Sequence, residues 1–212
     1  LAGTSFNFGT LLVTAGATFD IGAATFVQVG PSITNNGTFL ASTAASGLYF
    51  QGTVPQTLGG TGTYSVIRSL SIDNSGGGVT LLVPVVAARV NLFTGNLNGT
   101  SNLTVGDGTA IFFVIQIGTT GNTGTSGSLA SAPAFNIGSG ALQLVYAPET
   151  TARTIGFEIP TARTVDVVLI ANPAGVILAG GNLTISGVSD GSLILSSGIL
   201  TTSAANTVVL GP

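Results

Sequence analysis

The sequence predicts an all-β fold, and more narrowly a parallel β-helix. Three observations carry that prediction: the chain repeats itself, its apolar runs are of strand length, and formal charge is nearly absent. Asn91-Leu92-Phe93-Thr94-Gly95-Asn96-Leu97 returns as Leu195-Ser196-Ser197-Gly198-Ile199-Leu200. Upstream of these, Ser71-Ile72-Asp73-Asn74 followed by Gly78-Val79-Thr80-Leu81 parallels Leu169-Ile170-Ala171-Asn172 followed by Gly175-Val176-Ile177-Leu178. A sandwich needs no internal copy, whereas each coil of a solenoid buries its face against a coil like itself.

The elements follow in order. Thr25 to Val29, Tyr64 to Ile72, Ile111 to Ile117, Ala141 to Tyr146 and Thr164 to Ile170 are rich in β-branched and aromatic residues and lack helical spacing. Between them stand Asn35-Asn36-Gly37, Asn74-Ser75-Gly76-Gly77-Gly78, Asp107-Gly108, Gly121-Asn122 and Asp190-Gly191, residues that accept the positive φ of tight corners. At roughly 20 residues per coil the chain is expected to make about ten coils. The small, polar stretch around 115–138 is expected to be an irregular loop or coil. The chain reads as a single elongated solenoid over 1–212, with about two and a half repeats: a partial copy at 1–30, then 31–108 and 139–211. The partial copy suggests a piece cut from a longer run.

Composition excludes several function classes. Of 212 residues, 4 are basic and 7 acidic, and His, Cys, Met and Trp are absent. Without His and Cys there is no thiolate or imidazole for zinc or nucleophilic catalysis, so no metal or cofactor is expected. Four Arg, no Lys and a net charge of -3 leave no basic surface for phosphates, so nucleic acid is not an expected partner. The longest apolar run, Val79 to Val90, is interrupted by Pro84 and Arg89 and falls short of the ~20 residues a spanning helix needs, so no membrane span is expected.

The order of motifs resembles the β-strand-repeat proteins secreted by Bacteroidetes. Asn35-Asn36-Gly37-Thr38-Phe39 matches their turn, and Gln56-Thr57-Leu58-Gly59-Gly60-Thr61-Gly62-Thr63-Tyr64 matches a Gln-Thr-Ile-x-Gly-x-Gly-Thr-Tyr segment. Glu158-Ile159-Pro160-Thr161 looks like their Glu-Leu-Pro-Thr element, and Gly198 to Gly211 follows their hairpin. The resemblance implies a stalk or adhesin segment of a large cell-surface protein, exported by a route such as type IX secretion and carrying no catalytic residues. Its implied partners are neighbouring repeats, further copies of itself in a filament, or a glycan or cell-surface ligand. The run Val79 to Ala88 is more apolar than the family's usual Asn-rich strand, which is consistent with burial against a neighbour.

One charged cluster stands out. Glu149, Arg153, Glu158, Arg163 and Asp166 fall within 18 residues. Two of these carboxyls ~5 to 10 Å apart would suit glycoside cleavage, the alternative being a polysaccharide-active β-helix enzyme. The plainer expectation is ion pairing, with Glu149 meeting Arg153 or Arg163 and Glu158 meeting another Arg. Asp107-Gly108 and Asp190-Gly191 resemble fragments of calcium-binding turns, although the full nonapeptide is missing. Thr14, Thr18 and Thr25, or Thr201, Thr202 and Thr207, would have to form regular ranks for a further alternative, an ice-binding solenoid. Aromatics such as Phe6, Phe8, Phe19, Phe26, Phe39, Tyr49, Phe50, Phe112 and Phe113 are expected inside, with Tyr64 or Tyr146 available as a sugar platform.

Overall fold

The computed structural model describes residues 5–41, 43–109, 112–119, 126–186 and 192–211. Every strand pairing between named strands is parallel, and each pairing joins a strand to the third one after it in the chain. Three strands therefore make one coil, and the coils stack into a β-solenoid. One face is a continuous nine-stranded sheet, whose strands run from Ser5–Phe8 through Leu70–Asn74 and Arg89–Thr94 to Ser192–Leu195. The second face is a six-stranded sheet continued by three shorter strands. The third is built of three separate three-stranded sheets.

The alternation of side chains explains the core. In the nine-stranded sheet Phe6 pairs with Phe26, Phe26 with Leu48, Leu48 with Leu70, and the row continues through Val90, Ile115, Leu144 and Val168 to Leu193. Successive residues of a strand point to opposite sides, so this row faces inward and like stacks on like. Phe26, Leu48, Leu70, Val90, Ile115, Leu144 and Val168 are all buried. Each such side chain contributes roughly 1.5 to 3 kcal/mol of burial. At the start of the chain the filling is aromatic: Phe8 and Phe26 stack at 4.6 Å, and Phe19 meets Phe39 at 5.7 Å.

The coils number about eight rather than ten, because they are longer than assumed. Register positions step by 20 residues from Phe6 to Phe26 but by 29 from Ile115 to Leu144. Corners also occur without glycine. The run Val79 to Val90 crosses all three faces, as strands Val79–Leu81, Val85–Ala87 and Arg89–Thr94. Tyr64 to Ile72 likewise divides between Thr63–Tyr64 and Leu70–Asn74, and Thr164 to Ile170 bends at Asp166. The 115–138 stretch is a coil with strands of its own: Phe112–Ile117, Ser128–Leu129 and Ala134–Phe135 pair in the three faces. Residues 120–125, which include Gly121-Asn122, and the Asp190-Gly191 turn lie outside the described residues.

The sequence echo has a structural meaning. Asn74 and Asn172 are both fully buried at the same corner, four coils apart. Asn74 Nδ2 donates to the Val54 carbonyl at 2.7 Å in the preceding coil, and Asn172 Nδ2 to that of Thr151 at 3.1 Å. Their Oδ1 atoms accept from the backbone N–H of Gly76 and Ala174, which closes the turn. In the following coil Gly95 and Gly198 lie over these asparagines with φ near +73° and +80°. A Cβ would stand 1.7 Å from the Asn74 carbonyl oxygen at Gly95 and 1.8 Å from that of Asn172 at Gly198. Only glycine satisfies both the positive φ and the close approach.

The last described coil leaves its apolar residues open. Leu195 is 52% exposed, Ile199 64% and Leu210 66%, whereas their counterparts one coil earlier, Ile170 and Ile185, are fully buried. Among the described residues no helix is long and apolar enough to cross a membrane.

Candidate functional site

The predicted charged cluster is structural. Glu149 is buried at the corner beneath Asn172: its Oε1 accepts the Ser126 N–H at 2.9 Å and stands 3.9 Å from Arg153 Nη1. Arg153 in turn donates to the carbonyls of Ser126 and Gly127. Glu158, 2% exposed, accepts the Tyr146 hydroxyl and the Gly156 N–H, both at 2.9 Å. It therefore meets a phenol and a backbone amide instead of the expected arginine. Asp166 caps the neighbouring coil by accepting the Leu142 N–H at 2.7 Å. Arg163, at a positive φ of 53°, fans its guanidinium over the carbonyls of Ala179, Gly181 and Asn182. Glu149, Arg153, Arg163 and Asp166 thus each meet backbone of an adjoining coil, whereas Glu158 is held within its own.

The other sequence candidates resolve as plainly. Asp107 accepts from the Thr109 hydroxyl at 2.6 Å and its N–H at 3.1 Å, and pairs with Arg68 at 3.4 Å. Those hydrogen bonds from Thr109, aided by Arg68, hold its carboxyl below the usual carboxylate range. The turn is closed by its own side chains, and among the described residues no group of three or more potential ligands gathers to hold a metal. Thr18 aligns with Thr38 and Thr63 on the third face, but Thr25 belongs to the nine-stranded sheet, so the named threonines share no rank. Tyr146 is interior, where burial first and Glu158 second push its phenol well above the ordinary value. It is no sugar platform, and Phe112, expected inside, is 60% exposed.

A different place gathers outward-facing chemistry. On the solvent side of the nine-stranded sheet a groove of about 500 Å³ crosses four coils. Its floor is Ser69 and Ser71, both hydrogen-bonded by Asn91 Nδ2 at 3.0 and 2.9 Å. One wall is Tyr49 set edge-on to Phe93, with centroids 6.0 Å apart. Phe93 reaches that position through a β-bulge: Ile72 pairs with Leu92 but Asp73 with Thr94, so Phe93 is the extra residue. Asp73 fixes this wall by accepting the Tyr49 hydroxyl at 2.7 Å and the Thr94 hydroxyl at 2.5 Å. Burial, reinforced by Asp73, pushes the Tyr49 phenol upward. The opposite side carries Arg68 and Arg89, the only charged residues lining the groove. The turn at 43–46 forms the end, held by Thr43 donating to the Gly22 carbonyl at 2.6 Å.

Sequence reasoning missed this groove because its parts are dispersed. The signal was available in the coil period: Tyr49, Ser71 and Asn91 recur at one-coil intervals and stack in register, with Arg68 and Arg89 beside them. No protein-family model matches the chain, and neither a curated protein nor a solved structure shows significant similarity to it.

Proposed function

We propose that the chain is a segment of a non-enzymatic extracellular shaft, an adhesin-type element of a large bacterial surface protein whose coils stack on further coils or on a second copy. The observation that carries this reading is the open last coil. The inward rows that are sealed in every interior coil end there in exposed Leu195 and Leu210. Among the described residues the strands Ser192–Leu195, Leu200–Thr201 and Val208–Leu210 each have one strand partner, and at the opposite end Ser5–Phe8, Leu11–Val13 and Thr18–Asp20 do as well. Edges of this kind are templates for another coil. The motif order shared with the Bacteroidetes repeats supports export to the cell surface. The structural employment of Glu149, Glu158 and Asp166 supports a role without catalysis.

Solution scattering across a concentration series tests the reading. Rod-like particles that lengthen with concentration are expected, and Leu195→Lys with Leu210→Lys should hold the particle at one chain. A strictly monomeric, non-elongated particle at every concentration overturns it.

A further inference from the structure

We propose that the groove on the nine-stranded sheet binds an acidic saccharide, with Arg89 and Arg68 taking its carboxylate or sulfate group and the Tyr49–Phe93 wall receiving the face of a sugar ring. The inference deepens the adhesin part of the reading above and rests on it for the extracellular source of the sugar.

Three observations converge on the arginines. The chain has only four arginines. Arg153 and Arg163 are committed to backbone carbonyls, and Arg68 and Arg89 both line this one groove, Arg68 with Asp107 3.4 Å from its guanidinium. The Arg89 guanidinium is exposed and has no hydrogen bond or ion pair among the described residues, in a chain that otherwise gives nearly every charge a partner. A guanidinium presents paired N–H donors that match a carboxylate or sulfate.

The aromatic wall points to the sugar. A bulge has been built into an otherwise regular sheet so that Phe93 stands against Tyr49 two coils away, and small Ser71 between them leaves room above. Bulges re-aim side chains next to functional sites. Aromatic rings pair an apolar face with a polar handle, which suits the C–H face of a pyranose. Ser69 and Ser71 on the floor, held by Asn91 beneath them, offer hydroxyl groups for ring hydroxyls. The volume of about 500 Å³ lies in the small-ligand range. The groove is open and runs across coils, so a chain of sugars can pass through it. A phosphorylated peptide would need a denser basic lining than two arginines supply.

The test is isothermal titration of the intact chain with three defined hexasaccharides: oligogalacturonate, a sulfated oligosaccharide and neutral maltohexaose. One or both acidic ligands should bind at least tenfold more tightly than the neutral one, and the arm that binds identifies the anion. Arg89→Gln, at an exposed position, should lower that affinity at least tenfold, and added salt should weaken it further. Equal binding by wild type and R89Q overturns the proposal. So does equal affinity for maltohexaose, inorganic sulfate binding as tightly as either oligosaccharide, or no heat at millimolar ligand. Loss of binding with rods intact removes the groove alone, whereas binding by a non-stacking monomer removes the shaft alone.

Discussion

The corner around Glu149 and Glu158 and the groove around Arg89 hold most of this chain's charges, and they use them in opposite ways. At the corner the carboxylates and guanidiniums are tied down by the fold, Glu149 and Arg153 to backbone of a neighbouring coil and Glu158, 2% exposed, to groups of its own. In the groove Asp73 stands behind the Tyr49 hydroxyl as a brace, and Arg89 faces solvent. The lesson is that charge density along a sequence marks where a sparse chain needs polar reinforcement. Outward valence that the fold does not satisfy is the better marker of a binding site.

Substitutions can break or sharpen this contrast. Glu158→Ala should have the largest effect, because it strands the Tyr146 hydroxyl and the Gly156 N–H in the core. A loss of about 3 kcal/mol is expected in urea unfolding. A loss below about 1 kcal/mol would put Glu158 on the same footing as the groove residues.

Alkaline titration comes next. Burial raises the phenols of Tyr49, Tyr64 and Tyr146. For an acid whose folded pKa exceeds its unfolded value, the stabilisation is complete below the ordinary pKa near 10 and is lost as pH rises above it. Tyrosinate absorbance should therefore appear together with loss of the β-sheet dichroism. Ionisation of all three near pH 10 with the fold intact would contradict the burial of Tyr146.

Tyr49→Phe in the groove removes one hydrogen bond to Asp73 and should cost about 1 kcal/mol. Arg89→Ala should change stability by less than about 0.5 kcal/mol, since nothing in the fold leans on it. A larger loss would move Arg89 into the structural class.

The smallest expected effect is at Asp107. Its lowered pKa gives stabilisation that is present above the ordinary carboxylate pKa and fades as pH falls through the folded value. Asp107→Asn should slightly flatten the acid limb of a stability–pH curve, and an unchanged limb would show that the turn contributes nothing.

Much of the fold is legible in the sequence. Strand-length apolar runs, Asn-Gly corners and the echo of Asn74 by Asn172 all point to stacked coils, and the structure places both asparagines at one corner. Coil number is less legible, because a corner such as Pro84 or Asp166 carries no glycine and hides inside an apolar run. The charged cluster was visible as a cluster but not in its role, since Tyr146 and Ser126 reach Glu158 and Glu149 only after folding. The groove is readable once the coil period is known. Phe93 is not, because a one-residue bulge leaves no mark in composition or spacing.

The step of 20 to 29 residues between stacked positions bears on how the chain reaches its native state. Nearly all tertiary pairings join segments one turn apart, so loop closure is short and much the same everywhere. Assembly then amounts to zippering: one formed turn offers the surface on which its successor condenses, and the Gly95 seat over the Asn74 carbonyl exists only once that predecessor is in place. Loss of structure should run inward from the termini, and amide exchange should slow steadily toward the middle turns.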